Sequence, residues 1–189
     1  MYLVVGLGNP GVEYENTRHN VGFKVIDKLI DMYKISMDRK KFKGICVDLR
    51  IGSEKVILLK PQTYMNLSGE SVIEVVNYFD IPNENIIVLH DDVSIDVGRL
   101  RIRKNGSSGG QNGIKNIIKM LNSDEFNRVK IGVGKAEHDM ISHVLGKFPT
   151  EEEEIMVKVY DEAAKSVVYM IENNVDKAMN VFNGYNACN

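Results

Sequence analysis

Val4–Asn20 reads VVGLGNPGVEYENTRHN. The apolar run that leads into it, Tyr2 to Val5, has the composition of a strand. Gly6-Leu7-Gly8-Asn9-Pro10-Gly11 follows, a turn whose glycines admit backbone conformations closed to other residues. From Val21 the pattern changes period. Val21, Val25, Ile26, Leu29, Ile30 and Tyr33 form a helical stripe, and Asn20 before it is a residue type favoured at helix N-caps. A polar loop therefore joins a strand to a helix, with Asn9 near its start and His19 at its end.

Working outward, Ile45, Val47, Leu49 and Ile51 alternate with polar residues, as in a half-buried strand. Gly52-Ser53 is a tight turn into Val56–Leu59, apolar on both faces, so a hairpin leads inward to a central strand. Lys60–Asn66 is a loop at that strand's end. Ser68 is placed to cap a helix carrying Val72, Ile73, Val75, Val76 and Phe79. Ile86–Leu89 is another buried strand, ending in His90-Asp91-Asp92. Successive strand residues face opposite ways, so His90 is badly placed to pair with Asp91 and a different histidine is needed. Arg99, Arg101 and Arg103 alternate with Leu100 and Ile102, which puts the arginines on one face, roughly 6.6 Å apart. A glycine-rich loop, Lys104–Gly113, enters a helix with Ile114, Ile117, Ile118 and Leu121 inside, and Arg128–Val133 is the last strand. Thr150 with Glu153 fits a capping box for a long acidic helix, and a short one follows over Val175–Phe182.

Alternating strands and helices, without repeat or linker, predict an α/β fold: a single domain over 1–189, its mixed twisted sheet carrying helices on both faces and the C-terminal helices at 150–184. In such sheets sites gather at the carboxyl ends of strands. Asn9, Asn66, Asp91 and Asn112 all fall beside such ends or in the loops that leave them.

The 189 residues suffice for one full core, and no apolar run approaches the ~20 residues of a membrane helix. With no signal-peptide pattern and two unspaced cysteines, Cys46 and Cys188, the expected location is the cytoplasm. The net charge of −2 conceals an asymmetry: from Gly98 to Lys135 nine Lys and Arg oppose two acids, whereas after Pro149 eight acids oppose three lysines. A local basic region of this kind can bind a polyanion. His138 and His143 have no partners that would make a metal site, and Asp92 and Asp96 lack a calcium-loop pattern. No metal or cofactor is expected.

Gly6, Gly8 and Gly11 match the dinucleotide pattern G-x-G-x-x-G. The helix, however, starts about ten residues too late, and the acids at the expected interval, Asp27 and Asp31, lie inside it. An RNA-binding module without catalysis, resting on Arg99 to Lys135, is the other alternative.

Taken in order, GLGNPG with EYENTRHNVG, KPQTYMNLSG, HDDVSIDVG and GSSGGQNGIK resemble the motifs of bacterial peptidyl-tRNA hydrolase, from Val4 to about Gly134. The resemblance implies a soluble, metal-free, monomeric enzyme without an obligate protein partner. Such an enzyme cleaves the ester between a peptide, or another N-blocked aminoacyl group, and the 3′ end of tRNA, which recycles the tRNA for translation. It implies His19 as catalytic base, Asp91 as the carboxylate that orients it, and Asn9 as a residue that distinguishes blocked from unblocked substrates. Tyr14, Tyr64, Asn66 and Asn112 would line the site for the peptide and the tRNA terminus, and Arg103 and Lys130 would hold tRNA phosphate. Two positions depart from the family's habit: Gln111 where His is common, and Lys130 where Arg is more usual.

The residue types suit that chemistry on their own. Imidazole can accept a proton from water near neutral pH and a carboxylate can hold the ring. Asn side chains both donate and accept, so they can bind a peptide amide from either side. A free α-amino group is charged and costly to bury without a counter-charge, so an amide-lined wall without a carboxylate would favour N-blocked substrates.

Overall fold

The apolar run at the N-terminus becomes β1, Tyr2–Gly6, and lies at the centre of the sheet. The computed structural model describes all 189 residues. Six further strands surround β1: β2 (Arg39–Lys41), β3 (Gly44–Ile51), β4 (Glu54–Pro61), β5 (Ile86–Asp92), β6 (Leu100–Arg103) and β7 (Asn127–Gly132). Their order is β2-β3-β4-β1-β5-β7-β6. The four middle strands, β4, β1, β5 and β7, run parallel, and the outer pairings are antiparallel. Leu3, Val4 and Val5 are all buried because both faces of an interior parallel strand are covered.

Six α-helices supply the cover: α1 (Val21–Tyr33), α2 (Ser68–Phe79), α3 (Asn112–Leu121), α4 (Met140–Val144), α5 (Thr150–Glu172) and α6 (Val175–Phe182). On one face α1, α5 and α6 pack over Val4, Leu58, Ile87, Leu89 and Val129. On the other, α2 and α3 pack over Leu3, Val5, Ile57, Ile86 and Val88. The expected mixed sheet with two covered faces is therefore present. No helix is long and apolar enough to cross a membrane.

Several local expectations change. Strand β2 goes unseen in the sequence because all three of its residues, Arg39, Lys40 and Lys41, are exposed. An edge strand of cations has no buried face to produce alternation, and its charges discourage further pairing. Ser68 does not cap α2. It is the first helical residue, and its hydroxyl donates to the Met65 carbonyl at 2.8 Å. Thr150 does not form a capping box either, since Pro149 occupies the cap position and its carbonyl accepts the Glu152 and Glu153 N–H groups at 3.0 Å each. The acids of that first turn still face the positive helix end.

One contact transmits the fold to the site. Helix α1 begins against β1 so closely that a Cβ on Gly22 would run into the Leu7 nitrogen and the Leu89 carbonyl oxygen. The Leu7 N–H donates to that same carbonyl at 3.0 Å, and the Phe23 N–H donates to the Leu7 carbonyl at 3.2 Å. Gly22→Ala is expected to force the helix start off the sheet, at a cost of ~3 kcal/mol for overpacking. The measurement is chemical denaturation, with an unchanged midpoint as the contrary result.

Candidate active site

The carboxyl ends of three adjacent parallel strands meet at one cavity of about 330 Å³. The loop after β1 brings Asn9, the loop after β4 brings Tyr64, Met65 and Asn66, and β5 itself ends in His90, Asp91 and Asp92. His19 enters from the turn that precedes α1, Asn112 from the start of α3, and Met140, Ile141 and Val144 of α4, with Leu145 just after it, form an apolar wall. This is where an open parallel sheet collects its ligands.

His19 Nδ1 lies 2.8 Å from Asp91 Oδ2 although 72 residues separate them. The carboxylate can only accept when ionised, so Nδ1 carries the proton and Nε2 is left for the cavity. Asp91 is buried, whereas the His19 side chain retains some exposure. The strand geometry behaves as expected: His90 faces the α2 and α3 side and its Nδ1 donates to the Asp91 backbone carbonyl at 2.8 Å. Burial pushes the His90 imidazole down to about 4, against the opposing pull of the Asp91 carbonyl and of the Asp91 and Asp92 charges.

Asn9 is held from three directions. Its backbone N–H donates to Asn20 Oδ1 at 2.9 Å, and Asn20 Nδ2 donates back to the Asn9 carbonyl at 3.0 Å. The Met65 N–H donates to Asn9 Oδ1 at 2.7 Å. Because that N–H requires an acceptor, the amide orientation is settled and Nδ2, a donor, is what Asn9 turns to the cavity. This corrects the expected role of Asn20. It stands at the N-cap position of α1 but makes no capping bond, because its side chain is spent on Asn9.

The bond to Met65 also holds strained backbone. Tyr64 has φ 60 and ψ 160, a region essentially reserved for glycine. Its ring stands exposed at the cavity edge, edge-on to Tyr14 with centroids 6.4 Å apart. Tyr14 therefore backs Tyr64 rather than lining the cavity. Asn66 and Asn112 both line it with exposed side chains. Asn112, expected in the loop, is the first residue of α3, and the cap is Gln111.

The wall carries two carboxylates beside its amides. Asp91 and Asp92 both line the cavity, but each is engaged: Asp91 by His19, and Asp92 by the Ser94 N–H at 2.8 Å and by Lys130 Nζ at 3.8 Å.

Arg103 and Lys130 lie outside the cavity on β6 and β7, and the register sets Lys130 opposite Arg101 and Arg103 opposite Arg128. Burial lowers the Lys130 ammonium below the usual lysine range, with Arg128, Arg103 and Arg101 adding to the effect and Asp92 opposing it. Arg128, counted in the sequence as part of the basic segment, is fully buried and donates to the Ser107 and Asp124 carbonyls, each at 2.8 Å. It fastens loops and is withdrawn from any surface.

Helix α4 is absent from the sequence reading. Five residues give too short a stripe, and its apolar side chains face the cavity rather than the core. The signal that would have found it is Asp139 followed three residues later by Ser142, because the carboxylate accepts from the Ser142 N–H at 2.8 Å. His143, four residues into α4, is tied down through Nε2 to the Gly134 carbonyl at 2.9 Å. Its own carbonyl accepts from Arg18 at 3.1 Å, next to His19.

Comparison with known proteins identifies the family. The family model for peptidyl-tRNA hydrolase matches residues 3–189. The peptidyl-tRNA hydrolase of Clostridium novyi (strain NT) is 56% identical over 188 residues, covering 99% of this chain and 100% of that protein. A Clostridium botulinum relative of the same name is 56% identical over 184 residues, 97% of each chain. The crystal structure of peptidyl-tRNA hydrolase from Acinetobacter baumannii superposes with a TM-score of 0.94 at 38% identity, covering 99% of this chain and 96% of that one. Sequence and fold agree along essentially the whole length, and the chain belongs to the peptidyl-tRNA hydrolase family.

Proposed function

We propose that this chain hydrolyses the ester of peptidyl-tRNA with His19 as general base on water and Asp91 as the group that orients it. The observation that carries the reading is the 2.8 Å bond from His19 Nδ1 to a buried carboxylate in an amide-lined cavity. With Nδ1 so engaged, Nε2 takes a proton from water as the oxygen attacks the ester carbonyl carbon. Asp91 stabilises the imidazolium that forms. When the tetrahedral intermediate collapses, that proton passes to the departing ribose oxygen, which leaves a free acid and tRNA.

Asn9 Nδ2 is the donor best placed by its fixed amide orientation to meet a carbonyl oxygen of the acyl group. It is our candidate for charge stabilisation in the transition state. Asn66 and Asn112 add amide partners for the peptide main chain, and Tyr64, braced by Tyr14, offers a flat face at the entrance. No carboxylate in the cavity is free to neutralise an ammonium, which favours substrates with a blocked amine. The experiment is hydrolysis of an N-acetylated aminoacyl-tRNA beside its unblocked form. Selective turnover of the blocked ester is expected, and equal turnover of both would overturn the reading.

Arg103 is proposed as a phosphate contact. Its side chain is partly exposed and finds only its own strand's Ile102 carbonyl, at 3.3 Å. Lys130 shares the role less freely because it leans on Asp92. Arg103→Ala is expected to raise KM and to reduce the slope of log affinity against log salt by about 1, with kcat nearly unchanged. A change confined to kcat would remove Arg103 from the tRNA interface.

A further inference from the structure

Asp91 has two oxygens, and the His19 pair uses only Oδ2. Oδ1 accepts from Gln111 Nε2 at 3.0 Å, inside the buried part of the site. Gln111 is itself nearly buried and fully committed. Its Oε1 accepts the Ile114 N–H at 2.8 Å, which caps α3, and Nε2 also approaches Met65 Sδ at 3.2 Å. Its backbone N–H donates to the Ser108 carbonyl at 3.0 Å, and its carbonyl accepts from Lys115 at 3.0 Å. The Ile114 N–H can only be met by an oxygen, so the amide cannot turn over, and the NH₂ group must be the end that meets Asp91.

We infer that Gln111 is a positioning residue for the hydrolysis, acting through Asp91. A carboxylate's terminal torsion is broad and two-fold, so a lone bond to His19 does not define its plane. A second bond at Oδ1, from a donor locked to the first turn of α3, does. It aims Oδ2 at His19 Nδ1 and thereby aims Nε2 at the water. The donor is neutral, so it stabilises the carboxylate without competing with the imidazolium for its charge, and an amide keeps its donor at every working pH. The inference rests on the proposed roles of His19 and Asp91.

The two bonds made by Gln111 can be separated. Gln111→Glu preserves an acceptor for the Ile114 N–H at the same reach but replaces the neutral donor with a second carboxyl group against Asp91, so the pair repels or shares a proton that cancels the charge Asp91 offers to His19. Gln111→Met removes donor and acceptor without adding charge. Gln111→His restores an N–H donor on a different frame. The three variants and His19→Ala are measured for kcat and KM on N-acetylated aminoacyl-tRNA, with thermal unfolding in parallel. Gln111→Glu and Gln111→Met are each expected to lower kcat about tenfold or more with KM within about twofold, as for a misaimed base. Gln111→His is expected to exceed Gln111→Met in kcat by about fivefold, and Gln111→Glu, which keeps the cap but crowds a second carboxyl group against buried Asp91, to unfold below the wild-type temperature. Wild-type kcat in Gln111→Glu or Gln111→Met, a loss confined to KM, or no advantage of His over Met would overturn the inference. If His19→Ala abolishes turnover while the Gln111 variants keep it, only the tether fails. If His19→Ala itself retains turnover, the catalytic reading beneath it fails.

Discussion

His19→Ala is expected to lower kcat for an N-acetylated aminoacyl-tRNA by ~10²–10⁴-fold, the range over which a general base contributes. Affinity for uncharged tRNA should stay within a small factor, because the proposed phosphate contacts lie on β6 and β7, outside the cavity. Loss of the ring also leaves Asp91 buried with one oxygen unpaired. Some loss of stability is therefore expected, and thermal unfolding should be recorded alongside activity. The discriminating comparison is single-turnover cleavage against tRNA binding. A large fall in the first with the second preserved places His19 in the chemical step. Wild-type cleavage by the variant would return the chain to the RNA-binding alternative, in which the basic segment does everything and the cavity nothing.

The second large effect belongs to the other histidine of the site. His90 is buried beneath the cavity, its Nε2 has no partner, and burial holds its folded-state value at about 4 against an ordinary 6.5. The sign follows from proton counting. Between those values the unfolded chain binds a proton that the folded chain refuses, so stability rises with pH across this window. The contribution is fully present above 6.5 and is lost as pH falls toward about 4. At about 1.4 kcal/mol per unit the full loss is roughly 3 kcal/mol. His90→Asn keeps a donor near the Asp91 carbonyl and removes the titration. Denaturation from pH 7 to pH 4 should show the wild type losing roughly 3 kcal/mol more than the variant. Parallel curves for the two would show that His90 takes no part in acid unfolding.

His19 and His90 look alike in the sequence, each a histidine beside polar residues near an element end. Strand alternation alone separates them, since a residue next to Asp91 on a strand faces away from it. The same holds for the main elements. Interior parallel strands must be apolar on both faces and core helices must carry a stripe, so β1, β4, β5, β7, α1 and α5 were legible from period and composition. The motifs at the strand ends then pointed to the cavity residues Asn9, Asn66, Asp91 and Asn112.

What resisted reading was whatever depends on a choice among equally available partners. Asn20 is a sound N-cap by type, yet Asn9 stands within reach and captures both ends of its amide. Thr150 is displaced from its cap by the proline before it. Arg128 carries the same charge as Arg103, but one is sealed beneath a loop and the other faces outward. Gln111 seemed only a departure from a family habit until Asp91, 20 residues away in the chain, proved to share its hydrogen. Local sequence determined where the chain extends, coils and turns, because backbone sterics and apolar periodicity act over a few residues. Which polar atom meets which was decided only by the packed sheet and helices. A hydrogen bond is selected by distances of a few tenths of an ångström, and those distances exist only after the core has closed.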